Sequence, residues 1–182
     1  MKKNFAFFRF GGIDVSMKSV CATWSSLIPM SGFVQAGELA VGQRIPEVKV
    51  KNQNNEVVDL AAVAKEGWVL VYFYPKADTP GCIKQACSLR DSYAQLSEKG
   101  VKVYGVSTDG VPAQQKFVEK YQLPFELLAD KSKKVISAFG VPAGLGFAKR
   151  QAYLFSNGHL IWRDLTASTA KQAADVLAII EK

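Results

Sequence analysis

Two cysteines lie close together in this chain of 182 residues, Cys82 and Cys87, with four residues between them. A thiol reacts as a nucleophile only in its thiolate form, and the N-terminus of a helix favours that negative charge. Thr79 is a good N-cap residue and Pro80 suits the first helical position, which makes Cys82 the third residue of a predicted helix. This helix follows an apolar run over residues 68–74, typical of a strand buried on both faces. The sequence therefore indicates a reactive cysteine where a helix follows a central strand.

The spacing of the two cysteines sets a mechanical condition. On an intact helix, five residues turn Cys87 about 140° away from Cys82 and hold their Cα atoms about 8.6 Å apart. A disulfide needs less than about 7 Å. If the pair forms a disulfide, the first turns of the helix must therefore unwind. Cys82 shares the apolar helix face with Ala86, Leu89, Tyr93 and Leu96.

A simpler alternative is that both cysteines only pack in the core. Free cysteine is a common buried residue, and buried cysteines are usually inert. The carboxyl end of a central strand, however, is where open α/β sheets bind ligands. Gly81, which has no side chain, would let a small substrate approach the backbone closely. These features favour the reactive interpretation.

From Val41 onward, strand patterns alternate with helical patterns. We predict strands over residues 68–74, 101–107, 125–129, 151–155 and 160–164, and helices over 80–99, 113–121, 131–139 and 167–182. Strands linked by helices predict right-handed crossovers and a parallel centre, and Asn157-Gly158 predicts a hairpin that adds antiparallel edge strands. The predicted fold class is α/β, a mixed central β-sheet with helices on both faces that resembles the thioredoxin fold.

Residues 1–36 differ from the rest of the chain. A short basic start at Met17, an apolar or small stretch over 19–33 and a small-residue pattern ending at Ala36 are typical of a secretory signal. We predict that residues 37–182 form the mature domain, exported to the periplasm or another compartment and without Cys21. The alternatives are a disordered N-terminal extension or another targeting segment, with a cytoplasmic location. The apolar stretch is too short and weak for a membrane span.

Composition argues against two further classes of function. The net charge is +7, from 23 basic and 16 acidic residues, but no run of five Lys or Arg occurs, so we predict no nucleic-acid partner. Three cysteines and a single histidine, His159, make a structural zinc site improbable. We expect no metal, flavin or nucleotide cofactor.

The pattern Pro75-x-x-x-Thr79-x-x-Cys82 resembles the active-site motif of the peroxiredoxins. The longer pattern Thr-Pro-Gly-Cys-x-x-x-x-Cys resembles their PrxQ, or bacterioferritin comigratory protein, subfamily. The likeness runs from about Val41 to the C-terminus. It implies a thiol-dependent peroxidase that reduces hydrogen peroxide and organic hydroperoxides and is recycled by thioredoxin or a similar dithiol donor. It also implies a monomer.

The resemblance assigns a role to each residue of the motif. It implies that Cys82 attacks the peroxide, that Cys87 resolves the product as an intramolecular disulfide, that Pro75 shields the thiolate and that Thr79 hydrogen-bonds the peroxide. Arg150 matches an arginine of the family late in the chain. Beside a sulfur anion, a guanidinium stabilises the charge and can orient the leaving oxygen. Departures from the family pattern occur at Ala77, Ile83 and Gln85.

Three alternatives remain open from the sequence. A thiol–disulfide oxidoreductase on the same fold would use Cys-x-x-Cys, whereas four residues separate this pair. A copper chaperone would bind soft copper through Cys82, Cys87 and His159. A catalytically inactive relative would keep the fold without consuming peroxide.

Overall fold

The computed structural model describes residues 37–181, so the predicted signal segment 1–36, including Cys21, lies outside the described residues. The strands are β1 (Lys49–Lys51), β2 (Val57–Asp59), β3 (Trp68–Phe73), β4 (Val101–Ser107), β5 (Glu126–Ala129), β6 (Ala143–Gly144), β7 (Phe147–Ala148), β8 (Gln151–Ser156) and β9 (His159–Asp164). The helices are α1 (Leu60–Val63), α2 (Pro80–Asp91), α3 (Tyr93–Glu98), α4 (Val111–Tyr121), α5 (Lys134–Ala138) and α6 (Gln172–Ile180).

Five strands form the central sheet, in the order β5-β4-β3-β8-β9. The strands β3, β4 and β5 are parallel, whereas β8 runs antiparallel to β3 and β9 antiparallel to β8. Successive side chains of β3 point to opposite faces of the sheet. Val69, Val71 and Phe73 join one apolar cluster with α1 and α5, and Leu70 and Tyr72 join the other with α2, α3, α4 and α6. The predicted mixed sheet with helices on both faces is confirmed.

The helix predicted over residues 80–99 is two helices. Ser92 ends α2 and precedes α3, with φ −100° and ψ 4°, outside the helical range. Asp91 and Ser92 are poor helix formers, so little resists a break there. Of the predicted apolar face, Ala86, Leu89 and Leu96 are buried, whereas Tyr93 is only half-buried.

Two other helices, α5 and α6, begin later than predicted. Ser168 Oγ accepts the N–H groups of residues 170 and 171 in a turn before α6. The Asp130 carboxylate accepts from the N–H groups of Lys134 and Ile136 at the start of α5. Five elements are too short to show a hydrophobic period in the sequence: β1, β2, α1, β6 and β7. None of the described helices has the length and apolar character needed to cross a membrane.

The hairpin predicted at Asn157-Gly158 is present. Both residues have positive φ, 48° and 78°, as a two-residue turn between twisted strands requires. The prediction that both of its strands lie at the sheet edge is wrong, because β8 pairs with β3 as well as with β9. This pairing brings Gln151, the first residue of β8, opposite Phe73, the last residue of β3.

Candidate active site

Cys82 lies at the start of the helix that follows the central strand β3. A connection over residues 74–79 joins β3 to α2, and Cys82 is the third residue of that helix. Its side chain is 2% exposed and belongs to the apolar cluster that contains Tyr72, Tyr74 and Ala86. The thiol is therefore buried at the carboxyl end of β3, the position in open α/β sheets at which ligands bind.

Arg150 is the residue that the sheet brings to the thiol. Because Gln151 pairs with Phe73, the residue before β8 reaches the end of β3 and the start of α2. Arg150 Nη2 lies 3.5 Å from Cys82 Sγ, and the side chain is half-buried. A guanidinium stays charged throughout the working pH range, so at this distance it stabilises a thiolate. Its neighbour Lys149 is exposed.

Gly81 has a different role from the predicted one. A Cβ atom added at Gly81 would lie 3.2 Å from Arg150 Nη2, closer than ordinary van der Waals contact. The space beside this glycine is therefore occupied by the guanidinium and is not free for a substrate. The absence of a side chain at Gly81 lets Arg150 lie against the first turn of α2.

Thr79 occupies the N-cap position of α2 with extended backbone, φ −99° and ψ 150°. The expectation that its side chain caps the helix is wrong, because the hydroxyl turns back and donates to the Lys76 carbonyl at 3.0 Å. The Thr79 carbonyl instead accepts the N–H groups of Cys82 and Ile83, at 2.9 and 2.8 Å. The amide of Cys82 is thus already bonded, and the donor at its sulfur is Arg150.

The connection before α2 is fastened at two points. The Ala77 N–H donates to the Asp109 carboxylate at 2.7 Å, and the Ser107 hydroxyl donates to the same oxygen at 2.8 Å. Asp78 has φ 57°, a left-handed conformation, and accepts from Lys120 Nζ and from the hydroxyl of Tyr121. These two bonds lower the pKa of the exposed Asp78 carboxyl. These partners come from α4 and the end of β4, and no local sequence pattern links them to the connection.

Two buried tyrosines belong to the same apolar cluster as the thiol. Tyr72 and Tyr74 stack with ring centroids 5.6 Å apart, and both are 1% exposed. Burial raises the pKa of each well above its ordinary value. The hydroxyl of Tyr74 donates to Gln114. Both hydroxyls therefore stay protonated at any pH near neutrality, and the two rings contribute to the apolar surroundings of the thiol.

Cys87 is half-buried, farther along α2, and Pro75 is half-buried at the start of the connection. Both cysteines of the described residues are free thiols, and α2 runs unbroken through them from Pro80 to Asp91. Both cysteines thus lie on one intact helix, and from this arrangement we predict that a disulfide between them requires unwinding. The roles assigned to Pro75 and Cys87 remain predictions.

Gln85 also belongs to the site, although in the sequence it stands out only as a departure from the family pattern. It is 1% exposed, its carbonyl oxygen accepts from Arg150 Nη1, and its amide nitrogen donates to Gln172 Oε1 at 2.6 Å. The helical period could have placed Gln85 on the Cys82 face, because the two are three residues apart. No sequence pattern links Gln172, on α6, to this site.

His159 lies far from the two cysteines. It pairs with Ser156, and Ser156 pairs with Trp68, the first residue of β3, whereas Cys82 follows the other end of that strand. The six residues of β3 span about 17 Å. One copper ion could not reach both ends, so the set of ligands required by the copper alternative is not brought together. Among residues 37–181, no group of three or more His, Cys, Asp or Glu could hold a metal ion.

A large part of this chain matches known proteins. Residues 41–163 match the AhpC/TSA family. The chain is 47% identical over 103 residues to the putative peroxiredoxin bcp of Coxiella burnetii, covering 57% of this chain and 68% of that protein. It is 39% identical over 122 residues to the chloroplastic peroxiredoxin Q of Arabidopsis thaliana, covering 66% of this chain and 56% of that protein. The match thus spans little more than half the length of the plant relative.

Solved structures show the same fold. The peroxidoxin BcpB of Mycobacterium tuberculosis superposes with a TM-score of 0.73 and 29% identity, covering 79% of this chain and 97% of that one. The bacterioferritin comigratory protein of Xanthomonas campestris gives a TM-score of 0.70 and 25% identity, covering 78% of this chain and 98% of that one. This chain therefore belongs to the AhpC/TSA family, and within it to the peroxiredoxin Q and bacterioferritin comigratory protein group.

Proposed function

We propose that this chain is a thiol peroxidase whose nucleophile is Cys82. The observation that carries the proposal is the contact of 3.5 Å between Arg150 Nη2 and Cys82 Sγ, at the buried start of α2. A cation at this distance favours the thiolate, which is the form that attacks a peroxide. It also lies where negative charge develops on the leaving oxygen.

In the first step, the Cys82 thiolate attacks one oxygen of the peroxide. A sulfur–oxygen bond forms as the oxygen–oxygen bond breaks, so the sulfur is oxidised to a sulfenic acid and the peroxide is reduced. The leaving oxygen takes a proton and departs as water or an alcohol. Thr79 supports this step as a hydrogen-bond acceptor, because its own proton is directed to the Lys76 carbonyl and its lone pairs stay available to the peroxide O–H.

In the second step, the Cys87 thiol condenses with the sulfenic acid. A disulfide forms and one water leaves, which requires the turns of α2 that carry the two cysteines to unwind. In the third step, an external dithiol attacks the disulfide and restores both thiols by exchange, while the dithiol itself becomes a disulfide. We assign this last role to thioredoxin or a thioredoxin-like protein.

The proposed substrates are hydrogen peroxide and organic hydroperoxides. The Xanthomonas campestris relative has been studied for alkyl peroxide reduction, which supports including the organic class. The apolar cluster around the thiol, which includes Tyr72, Tyr74 and Ala77, supports the same class. Because all three steps use residues of one chain, we propose that the protein works as a monomer.

Exchange of each cysteine for serine tests the proposal. Cys82→Ser should abolish peroxide consumption, because a hydroxyl cannot replace the thiolate; retained turnover would remove the central claim. Cys87→Ser should still form a sulfenic acid on Cys82 but lose cycling driven by a dithiol. Mass spectrometry of the protein treated with peroxide should find the Cys82–Cys87 disulfide, with Cys87→Ser as its control.

We propose further that residues 1–36 direct export and that Gly37 is the first mature residue, on the sequence pattern alone. The intact mass of the protein recovered from the compartment outside the cytoplasm should correspond to a chain starting at Gly37. A full-length mass found only in the cytoplasm would favour the alternative location.

A further inference from the structure

A continuous line of side chains joins the last helix to the Cys82 sulfur. Gln172 Oε1 accepts from Gln85 Nε2 at 2.6 Å, Gln85 Oε1 accepts from Arg150 Nη1, and Arg150 Nη2 lies 3.5 Å from Cys82 Sγ. Gln85 and Gln172 are each 1% exposed. Neither amide group is in contact with bulk water, so each depends on hydrogen-bond partners within the protein.

The chemistry of the two amides gives this line a direction. A guanidinium only donates hydrogen bonds, so Gln85 must present its oxygen to Arg150 and its NH2 group to the opposite side. An acceptor is then needed on that side, and the Gln172 oxygen supplies it. Without that acceptor, the Gln85 amide has no buried partner for its NH2 group and loses its fixed orientation.

Gln172 meets this requirement at the expense of its own amide nitrogen. Within residues 37–181, Gln172 Nε2 is a buried donor with no hydrogen-bond partner. A buried unsatisfied donor destabilises a fold, so packing alone would favour an apolar side chain such as methionine at this position. An amide that is half satisfied in the core calls for a role outside stability.

We propose that Gln172 is a positioning residue for the reaction. Through Gln85, it holds the Arg150 guanidinium in the orientation that directs Nη2 at the Cys82 sulfur. The inference rests on the proposed function in one respect, that Cys82 reacts as a thiolate. It assigns to α6, far along the chain from both cysteines, control over how readily that thiolate forms.

The test is the pH dependence of Cys82 alkylation by iodoacetamide, read as the alkylated Cys82 peptide by mass spectrometry. Tyr72 and Tyr74, which share the apolar cluster of the thiol, stay neutral in this range because burial raises their pKa values. Gln172→Met should move the midpoint of the profile upward by about half a pH unit, equivalent to about threefold slower alkylation below the midpoint.

A double-substitution cycle separates a relay from an independent effect. In a Gln85→Met background, Gln172→Met should produce no further shift, because the link that transmits it is already gone. The doubly substituted protein replaces the Gln85–Gln172 pair by apolar side chains of similar size, and the half-buried Arg150, which loses the Gln85 oxygen, can turn its free donor to solvent. Comparison of Gln85→Met with the double variant keeps the test available if Gln172→Met alone folds poorly. A shift of equal size in both backgrounds would overturn the proposal, as would no shift in Gln172→Met alone.

Gln53→Met is the matched control. Gln53 is a second buried glutamine, 9% exposed, whose oxygen accepts the Leu127 N–H at 3.0 Å at the β5 edge of the sheet. Its loss should lower the free energy of unfolding without moving the alkylation midpoint. Alkylation needs no peroxide, so the experiment also distinguishes failure of this inference from failure of the proposed peroxidase activity.

Discussion

The sulfur of Cys82 and the guanidinium of Arg150 form the smallest unit on which the proposed chemistry depends. Arg150→Met should move the alkylation midpoint of Cys82 upward by about one to two pH units, because a charge-assisted contact to the thiolate is lost. The measurement is the rate of iodoacetamide labelling across pH. Lys149→Met removes an equal charge from the exposed neighbouring position and should leave the profile in place. An unchanged profile in Arg150→Met would mean that another group stabilises the thiolate.

At this scale the sequence alone predicts the nucleophile but not all of the residues that surround it. Cys82 and Thr79 follow from local helix-start chemistry, and Arg150 from a family resemblance. The Gln85–Gln172 contact joins residues 87 positions apart and could not be inferred locally. N-cap preferences predict that the Thr79 hydroxyl bonds a backbone N–H of the helix, whereas in the structure it donates to the Lys76 carbonyl.

At the scale of elements, α2 must be stable when reduced and yet able to unwind after oxidation. The Ser88 hydroxyl donates to the Ala170 carbonyl at 3.0 Å and so fastens α2 to the turn before α6. Ser88→Ala should therefore speed closure of the Cys82–Cys87 disulfide by about fivefold, because it removes one hydrogen bond that is present only in the folded helix. Stopped-flow measurement of disulfide formation after a single addition of peroxide would show this.

The same substitution should lower the fraction of Cys82 converted to sulfinic acid at high peroxide, because faster closure leaves less sulfenic acid to react again. Ser97→Ala, in α3 and outside the unwinding segment, is the control and should change neither quantity. Slower closure in Ser88→Ala would contradict the view that this bond restrains the helix.

The elements themselves were predictable where a period was long enough to see. The strand β3 is a continuous apolar run and the β8–β9 turn is Asn-Gly, and both appear where expected. The break at Ser92 and the late start of α6 were missed because side chains decide them one residue at a time. Strands of two or three residues, such as β1 and β6, owe their existence to tertiary pairing.

At the scale of the whole molecule, several buried tyrosines set a limit on stability in alkaline solution. Burial raises the pKa of Tyr104 and of Tyr153 to about 12, from an ordinary 10.0, and raises those of Tyr72 and Tyr74 as well. Above pH 10 the unfolded chain loses protons that the folded protein keeps, so the folded state loses stability progressively as pH rises toward 12.

Urea denaturation at pH values below and above 10 should show this fall in the free energy of unfolding. Tyrosinate absorbance from the buried rings should appear together with unfolding and not before it. Tyr153→Phe should reduce the steepness of the fall, because one of the groups that drives it is gone. A free energy of unfolding that stays constant through this range would refute the argument.

The Asp109 carboxylate, which bonds both Ala77 and Ser107, has one more consequence. It pins the residues ahead of Thr79 to β4, a strand that takes no part in the rearrangement of α2. The connection over residues 74–79 thus keeps its shape through the proposed cycle while the start of α2 changes. A reducing protein that bound only this constant connection would bind the oxidised and the reduced enzyme equally and would dissociate slowly. Efficient turnover therefore favours a reductase that recognises the loosened helix and is released when the helix winds up again.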